Sequence, residues 1–333
     1  MFSLHRSAPS RLAHACGLAM LMLGSTAATP ALAQGKQPSG PIDISVGASP
    51  GGSPDVVMRF VAKVMAEEGI IDVPLVVQNR PGGAGSVSYN YVLGRPGDEN
   101  LVLTLNQSSF TTPMMQGTEP IIDKIVPVAD FIQSDLVFLV QPDAPYSTLA
   151  EFFEAAKAAP AQIRIAGALA GGTDNLATAL LMQKGEVDLT YVPFDGGSIA
   201  IATFLGGNVE GVFSTLEEGV PLINDGRAKP LAVLSAERMN AEPYADVPTA
   251  REQGYDIVFG QSWGMALPPG TDPEVAVWWD ARMREMVATQ VWQDSIAEKF
   301  QKSEYYGLDR IAERHRELNT LYGELMRAVG LGN

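Results

Sequence analysis

The sequence is poor in the side chains that most often carry covalent catalysis or bind metal ions. Its 333 residues include one cysteine and three histidines, and the cysteine and two of the histidines lie within the first 33 residues. The rest of the chain therefore has no means of forming a disulfide, a thiol nucleophile or a metal site built from several cysteines or histidines. It also lacks a run of about 18 apolar residues, so we expect no transmembrane helix there. We expect neither a metal nor a cofactor.

Positive charge is also scarce. The 38 aspartates and glutamates outnumber the 23 lysines and arginines, which gives a net charge of −15. Such an excess of negative charge argues against binding to nucleic acid or to anionic membrane surfaces. A chain with 46% apolar and 18% charged residues is neither disordered nor collagen-like. Its length allows one large domain or two of ordinary size.

The first 33 residues have the pattern of a secretory signal peptide. A basic start with Arg6 and Arg11 precedes a short apolar stretch over residues 16–23, and Ala31-Leu32-Ala33 matches a cleavage site. Cys16 stands at the start of the apolar stretch instead of following it, so we reject a lipid anchor. Cleavage would remove two of the 23 basic residues and no acidic one, leaving 21 against 38 and a net charge of −17. We therefore expect an exported, soluble product.

The segment 34–41 is predicted to be a flexible leader, and after it short apolar strands alternate with amphipathic helices. This alternation is typical of an α/β protein with largely parallel sheets. We predict two small lobes, each a mostly parallel sheet flanked by helices, with a ligand cleft between them. The predicted boundaries are 42–138 plus 263–333 for lobe 1 and 139–262 for lobe 2. Other predicted elements are strands over 42–48 and 136–141, a polar loop over 106–109, and helices over roughly 273–300 and 308–329.

Two glycine-rich loops are the sharpest candidates for a binding site. Ser49-Pro50-Gly51-Gly52-Ser53-Pro54-Asp55 follows the first strand, and Gly171-Gly172-Thr173-Asp174-Asn175 follows a strand in lobe 2. Glycine lets the backbone approach a ligand, and the N–H groups at a helix N-terminus attract an anion. We expect Ser53 and Thr173 to cap the helices. Each loop could also be an ordinary capped turn, and neither has the G-x-x-x-x-G-K-[ST] pattern of a nucleotide-binding loop.

Two segments and two single residues are further candidates for the site. Residues 106–109 offer hydrogen-bond donors at a strand end, and Asp195 could accept from a donor group on a ligand or be an exposed loop acid. Trp263 could stack on a ligand or pack in the core. Residues 79–85 lack the spacing of a dinucleotide fingerprint, so we predict a structural turn.

Enzymatic activity is not expected. His315 lies in a strongly charged helical segment, Ala312 to Glu317, and is predicted to be exposed to solvent. A Ser-His-Asp triad would have to use it, and no G-x-S-x-G elbow accompanies it. No pair of carboxylates stands out as the machinery of a glycoside hydrolase.

Four segments of the chain carry a resemblance to a known protein family. They are, in chain order, Ser49 to Asp55, Gln78 to Gly85, Val192 to Gly197, and Asp246 to Thr249 with Gly254-Tyr255. In this order they resemble the substrate-binding receptors of tripartite tricarboxylate transporters, also called Bug proteins. The resemblance covers essentially the whole chain after the leader. It implies a two-lobed periplasmic binding protein that closes over a small organic anion and delivers it to membrane permease subunits. It also implies that the two glycine-rich loops clasp a ligand carboxylate through backbone groups and bridging waters.

The chain departs from the family pattern at four positions. Members often have an aromatic residue at the place of Ala48, His at that of Asn175, Lys at that of Asp195 and Asp at that of Ser214. These departures predict a ligand with a carboxylate at one end and a bulkier, neutral or donor-bearing part at the other, and they argue against a dicarboxylate or tricarboxylate. The predicted ligand-binding residues are Ala48, Ser49, Gly51, Gly52, Ser53, Asp55, Gln107, Ser108, Ser109, Gly171, Gly172, Thr173, Asn175, Asp195 and Ser214.

The sequence therefore predicts a monomeric periplasmic receptor that works by domain closure without covalent chemistry. Three alternatives stay open. The same fold could serve as a ligand sensor for a signalling kinase, the protein could be an exported hydrolase, or it could be a structural or adhesive surface protein. The last of these would show no saturable binding of a small ligand.

Overall fold

The computed structural model describes residues 35–168, 170–194 and 196–331, and the predicted signal peptide and Asp195 lie outside them. Strands and helices alternate along this part of the chain. The strands are β1 (Ile42–Val46), β2 (Leu75–Asn79), β3 (Leu101–Leu105), β4 (Val126–Val140), β5 (Arg164–Ala168), β6 (Thr190–Phe194), β7 (Gly211–Thr215), β8 (Lys229–Val233) and β9 (Gly260–Leu267). The helices are α1 (Ser53–Glu67), α2 (Ser86–Leu93), α3 (Ser108–Gln116), α4 (Leu149–Ala158), α5 (Thr173–Gly185), α6 (Gly197–Leu205), α7 (Leu216–Asn224), α8 (Pro273–Val287), α9 (Gln290–Glu298) and α10 (Ile311–Ala328).

The strands pair in the order β2-β1-β3-β9-β4-β7-β5-β6, and β8 also pairs with β4. Each half of this sheet has a parallel trio, β2-β1-β3 in the first half and β6-β5-β7 in the second. The long strand β4 joins the halves, because residues 126–135 pair with β9 and residues 136–140 pair with β7 and β8. These β4 pairings are antiparallel. The fold is the α/β fold of a two-lobed periplasmic binding protein, as the sequence predicts.

The repeated strand–loop–helix units bring the loops of each half to one edge of its sheet. In the first half α1 follows β1 and α3 follows β3, while in the second half α5 follows β5 and α6 follows β6. Parallel strands point their carboxyl ends the same way, so the loops after them lie side by side. This topology places the loop before α1 beside the loop before α3, and the loop before α5 beside the loop before α6.

Apolar strands and the apolar faces of amphipathic helices form the core. Every residue of β3 is buried, and α1 buries Val57, Val61 and Val64 at helical spacing. Burial of each such side chain contributes roughly 1.5–3 kcal/mol. The fixed framework of both halves is therefore buried apolar packing, against which the polar loops are positioned.

Three predicted elements differ from the structure. The polar loop predicted over 106–109 is interrupted by the start of α3 at Ser108, because the helix carries few apolar residues and its period is hard to detect. The helix predicted over 273–300 is two helices, since Thr289 caps α9 by accepting from Trp292 N at 3.2 Å. The strand predicted to begin at Leu136 begins at Val126.

The predicted leader has neither helix nor strand over its described residues. Lys36 N donates to Glu274 O at 3.0 Å, and Gly40 N donates to Asn100 Oδ1 at 3.3 Å. Across the described parts of the chain, no helix combines the length and apolar character needed to cross a membrane.

Candidate functional site

The loop after β1 presents the N-terminus of α1. Gly51 has a φ of +81°, a conformation that strains any residue with a side chain. Gly52 is the N-cap with extended backbone, and no side chain caps α1. The prediction that Ser53 caps the helix is therefore wrong: Ser53 is the first helical residue, and the capping position is taken by glycine.

Asp55 holds this loop in shape from inside the protein. Its carboxylate is 2% exposed, and Oδ2 accepts from Gly51 N at 2.8 Å. Oδ1 accepts from Asn79 Nδ2 at 2.8 Å and from Arg59 Nε at 3.0 Å. Burial opposes ionisation, but the hydrogen bonds from Arg59, Gly51 and Asn79 outweigh it and hold the pKa of Asp55 below its usual value. Asp55 is thus an ionised, internally paired group.

The loop after β5 repeats this geometry in the second half. Gly171 has a φ of +73°, and Gly172 is an extended N-cap without a side-chain cap. Gly171 N donates to Asn175 Oδ1 at 3.0 Å, four residues further on, as Gly51 N donates to Asp55. The prediction that Thr173 caps α5 is therefore wrong for the same reason as in the first loop.

Asp174 is the acidic residue of this second loop, and its environment differs from that of Asp55. It is 8% exposed, and its Oδ2 accepts from Ala168 N at 2.8 Å. Burial, together with the negative charge of Glu218, raises the pKa of Asp174 to about 7 against the effect of the Ala168 hydrogen bond. Asp174 therefore titrates near neutral pH.

Two further helices begin beside the two loops. At the start of α3, Gln107 is 5% exposed, its Nε2 donates to Gly171 O at 3.3 Å, and its Oε1 is buried with no hydrogen-bond partner. This bond links the first half of the sheet to the second. At the start of α6, Gly196 and Gly197 leave open space, because a Cβ at either position would meet no atom within 4 Å.

A cavity of about 380 Å³ lies where α1, α3, α5 and α6 begin. None of its described lining residues is Lys, Arg or His, and Asp174 is the one ionisable residue among them. Backbone N–H groups and helix dipoles can hold an anion without a cationic side chain. The lining residues are Gly47, Ala48, Gly52, Ser53, Pro54, Ala84, Asn106, Gln107, Ser108, Ala168, Gly172, Thr173, Asp174, Gly196, Gly197, Gln261, Ser262 and Trp263.

The structure brings about half of the predicted ligand-binding residues to this cavity. Those that line it are Ala48, Gly52, Ser53, Gln107, Ser108, Gly172 and Thr173. Those outside its lining are Ser49, Gly51, Asp55, Ser109, Gly171, Asn175 and Ser214. Asp195 lies outside the described residues.

The predicted residues outside the lining have structural contacts. Ser109 is fully buried, and its hydroxyl accepts from Asn106 N at 3.2 Å. Ser214, in β7, is 3% exposed and its hydroxyl donates to Thr215 O at 3.0 Å. Asp55 and Asn175 each accept the N–H of the glycine four residues earlier. These contacts hold the loops and strands around the site, and direct contact with a ligand stays a prediction for all fifteen residues.

Sequence reasoning left several lining residues out of the predicted site. The pair Gly196-Gly197 carries the same signal as the two chosen loops, a double glycine before a helix, and could have been found. Ala84 and Gln261 carry no local signal, because a turn and a neighbouring strand bring them to the cavity. Trp263 packs in the core at 3% exposure and also lines the cavity, so its stacking on a ligand stays a prediction.

His315 is buried, so its prediction as a solvent-exposed residue is wrong. It is 3% exposed, its Nε2 lies 3.3 Å from Asp130 Oδ1, and its ring packs edge-on against Phe110 with centroids 5.3 Å apart. The charged residues around it face outward, while His315 lies on the face of α10 that packs inward. It does not line the cavity. The described residues contain no cluster of His, Cys, Asp or Glu suited to holding a metal ion.

Comparison with known proteins identifies the chain's family. A family model described as "Tripartite tricarboxylate transporter family receptor" matches residues 57–310. The protein BugT of Bordetella pertussis (strain Tohama I) is 27% identical over 268 residues, covering 78% of this chain and 80% of BugT.

Solved structures agree with this match. A TctC solute-binding protein from Polaromonas, solved with no ligand, superposes with a TM-score of 0.74 at 27% identity and covers 88% of this chain and 99% of its own. MatC from Rhodopseudomonas palustris, with bound malate, has a TM-score of 0.71 at 21% identity and covers 87% of this chain and 99% of its own. The chain belongs to the tripartite tricarboxylate transporter receptor family.

Proposed function

We propose that this protein is a periplasmic receptor that captures a small organic carboxylate in the cavity between the two halves of its sheet. The observation that carries the proposal is the convergence of four helix N-termini, those of α1, α3, α5 and α6, on one cavity. The N-caps of α1 and α5 are glycines without side-chain caps, so the first N–H groups of these helices are not taken up by a capping side chain. An oxyanion is the ligand chemistry that such groups attract.

The hydroxyls of Ser53 and Thr173 add polar groups to the cavity, one from each half of the protein. Both residues are the first of their helices, and both line the cavity. A ligand whose carboxylate accepts from Ser53 and whose other end contacts Thr173 would be bound by both halves of the protein at once. That arrangement supports the binding of a carboxylate, and the malate bound in MatC supports the same ligand class.

We propose that the lobes are 42–138 plus 263–333 and 139–262, and that a ligand favours their closure. The hydrogen bond from Gln107 Nε2 to Gly171 O, at 3.3 Å, joins the two lobes beside the cavity. A ligand that contacts both loops would bind the closed arrangement more tightly than the open one, and that difference in affinity drives closure.

The family supports delivery of the ligand to the membrane subunits of a tripartite tricarboxylate-type transporter. We propose this role for the monomeric protein, acting in the periplasm without catalysis. Use of the same fold as a sensor for a signalling kinase is the alternative. Growth on the ligand after deletion of the gene separates the two, since a transport receptor is needed for uptake and a sensor kinase can be bypassed.

Thermal unfolding of the purified protein across a panel of small compounds tests the proposal. The panel contains aliphatic and aromatic monocarboxylates and dicarboxylates, amino acids and neutral amides. A ligand at 100 times its Kd stabilises the folded state by about 2.7 kcal/mol, which raises the unfolding temperature measurably. A shift confined to carboxylates is expected. If no carboxylate shifts the midpoint, even after unfolding, dialysis and refolding to remove retained ligand, the proposal fails.

A matched pair of glycine substitutions tests whether the ligand binds in this cavity. Gly197→Leu places a side chain in the open space at the start of α6, and Gly40→Leu adds the same group away from the cavity. A Cβ at either glycine would meet no atom within 4 Å, so both variants are expected to fold. We expect Gly197→Leu to lose the ligand-induced shift and Gly40→Leu to keep it. Equal shifts in both variants would place the ligand elsewhere.

A further inference from the structure

The cavity proposed to bind an anion contains a buried carboxyl group of its own. Asp174 lines it and is 8% exposed, and no lysine, arginine or histidine stands among the described lining residues. A ligand carboxylate beside α5 therefore has the Asp174 carboxyl as a close neighbour. Two like charges at short distance in a buried site repel strongly.

Contacts with the end of β5 fix the position of the Asp174 side chain. Its Oδ2 accepts from Ala168 N at 2.8 Å at the end of β5. Gly167 makes room for it, because a Cβ at residue 167 would collide with the Asp174 side chain and come within 2.5 Å of the Tyr191 hydroxyl. The loop's own Gly171 N–H is bonded to Asn175, so Asp174 is not the group that shapes the loop. Asp174 is therefore a fixed part of the cavity wall.

The groups that face Asp174 from neighbouring elements leave its charge uncompensated. Tyr191 on β6 and Glu218 on α7 interact with it electrostatically, and neither carries positive charge. The lining residues from β9 are neutral. Arg164 lies at the opposite end of β5, where it forms an ion pair with Glu210 at 2.7 Å. Burial without a cation also agrees with the raised pKa of Asp174.

We propose that Asp174 selects the ligand by charge. The end of the ligand that reaches Asp174 carries a hydrogen-bond donor, such as a hydroxyl, amide or ammonium group, and a ligand with a second carboxylate there binds only together with a proton. A second acceptor agrees with this preference, since Gln107 Oε1 is buried at the cavity with no hydrogen-bond partner. This inference rests on the proposed carboxylate receptor and narrows its substrate class.

Calorimetric titration with matched ligand pairs tests the selection. Each pair has one chain length and differs at one end: succinate with succinamate, glutarate with glutaramate, and adipate with 6-aminohexanoate. For the pairs that bind, we expect the donor-bearing member to bind at least tenfold more tightly at pH 8. The affinity of the dicarboxylate should rise by up to tenfold per unit as the pH falls toward 6, because protonation of Asp174 removes the repulsion.

Two variants assign the effect to one carboxyl group. Asp174→Asn keeps an acceptor for Ala168 N and removes the charge, so we expect the two members of a pair to bind within threefold and the pH dependence to vanish. Asp225→Asn removes an exposed carboxylate from the same half and should behave like the unmodified protein. If Asp225→Asn changes the discrimination as much as Asp174→Asn does, a general charge effect replaces the proposal.

Proton uptake provides a measurement that needs no variant. Titrations at pH 8 in buffers of different ionisation enthalpy should show about one proton taken up per bound dicarboxylate and none per bound half-amide. Equal affinities within each pair, with no proton uptake, would overturn the role of Asp174 and leave the carboxylate receptor standing. Binding of no carboxylate at all would overturn the receptor and this inference together.

Discussion

The two loops at the cavity have the same backbone but opposite electrostatics. In each, a left-handed glycine precedes an extended glycine N-cap, and the N–H of the first glycine bonds to a side chain four residues on. In the first loop that side chain is the ionised Asp55, which is paired with Arg59 and Asn79. In the second loop it is the neutral Asn175, and the acid, Asp174, lines the cavity instead.

The difference shows that loop geometry and loop charge are set independently. Both acceptors satisfy a glycine N–H, so either residue type can hold the backbone. Asp55 has partners that favour its ionised form, whereas among the described residues Asp174 accepts from Ala168 N and has no cationic partner. The donors around Asp55 therefore hold its pKa below the usual value despite burial, whereas burial raises the pKa of Asp174.

The largest expected effect comes from removing the two acceptors. Asp55→Ala leaves the Gly51 N–H and the Asn79 amide without their buried partner and should lower the free energy of unfolding by about 3 kcal/mol. Asn175→Ala removes one neutral hydrogen bond and should cost about 1 kcal/mol. Urea unfolding at pH 7 measures both. Equal losses would show that the Arg59 and Asn79 contacts contribute little.

The two acids should affect stability with opposite sign. The folded pKa of Asp174 is about 7 against an ordinary 3.8, so between these values the folded state binds more protons than the unfolded state and stability falls as pH rises. Asp174→Asn should therefore raise the free energy of unfolding at pH 8, on the order of 2 kcal/mol, and change little at pH 4.

Asp55 gives the reverse pattern, because its folded pKa is lowered. Its contribution is present above the unfolded pKa and is lost as pH falls through the folded value. Asp55→Asn should destabilise the protein at pH 7 and progressively less below about pH 4. Urea unfolding from pH 3 to pH 8 follows both variants, and a loss of stability at pH 8 in both would refute the contrast.

Replacing the two left-handed glycines by alanine should lower the free energy of unfolding by different amounts, because their surroundings differ. Gly51→Ala faces open space and should cost about 1 kcal/mol from backbone strain alone. Gly171→Ala adds a contact, since its Cβ would lie 2.7 Å from Met115 Sδ, and should cost about 2 kcal/mol. Thermal unfolding without ligand compares the two. A smaller loss for Gly171→Ala would mean that Met115 moves aside freely.

The smallest stability effects are expected at the two helix-start hydroxyls. Neither Ser53 nor Thr173 caps its helix, so Ser53→Ala and Thr173→Ala should change the free energy of unfolding by less than about 0.5 kcal/mol. Ser53→Ala should weaken binding of a carboxylate ligand by about tenfold through the loss of a charge-assisted hydrogen bond. Thr173→Ala should weaken binding by less, because Thr173 contacts the other end of the ligand. A stability loss near 1 kcal/mol would instead indicate a capping role.

Local sequence signals predicted the two loops, because a double glycine before a helix is a feature of neighbouring residues. The same reasoning assigned the wrong role to Ser53 and Thr173, since a serine or threonine beside glycine can be the cap or the first helical residue. His315 was misjudged because its neighbours are charged, although the inward face of α10 is set by a period of 3.6 residues.

The sequence by itself determined the alternation of strands and helices, the glycine loops, the shortage of cations and the family, because each depends on local order or composition. Only the tertiary structure decided which residues meet at the cavity. Ala84 reaches it from the turn before α2, and Gln261 and Trp263 reach it from β9. The opposite environments of Asp55 and Asp174 depend on partners distant in sequence, Asn79 for Asp55 and Glu218 for Asp174. Burial and charge pairing depend on all packed elements at once, so no single segment encodes them.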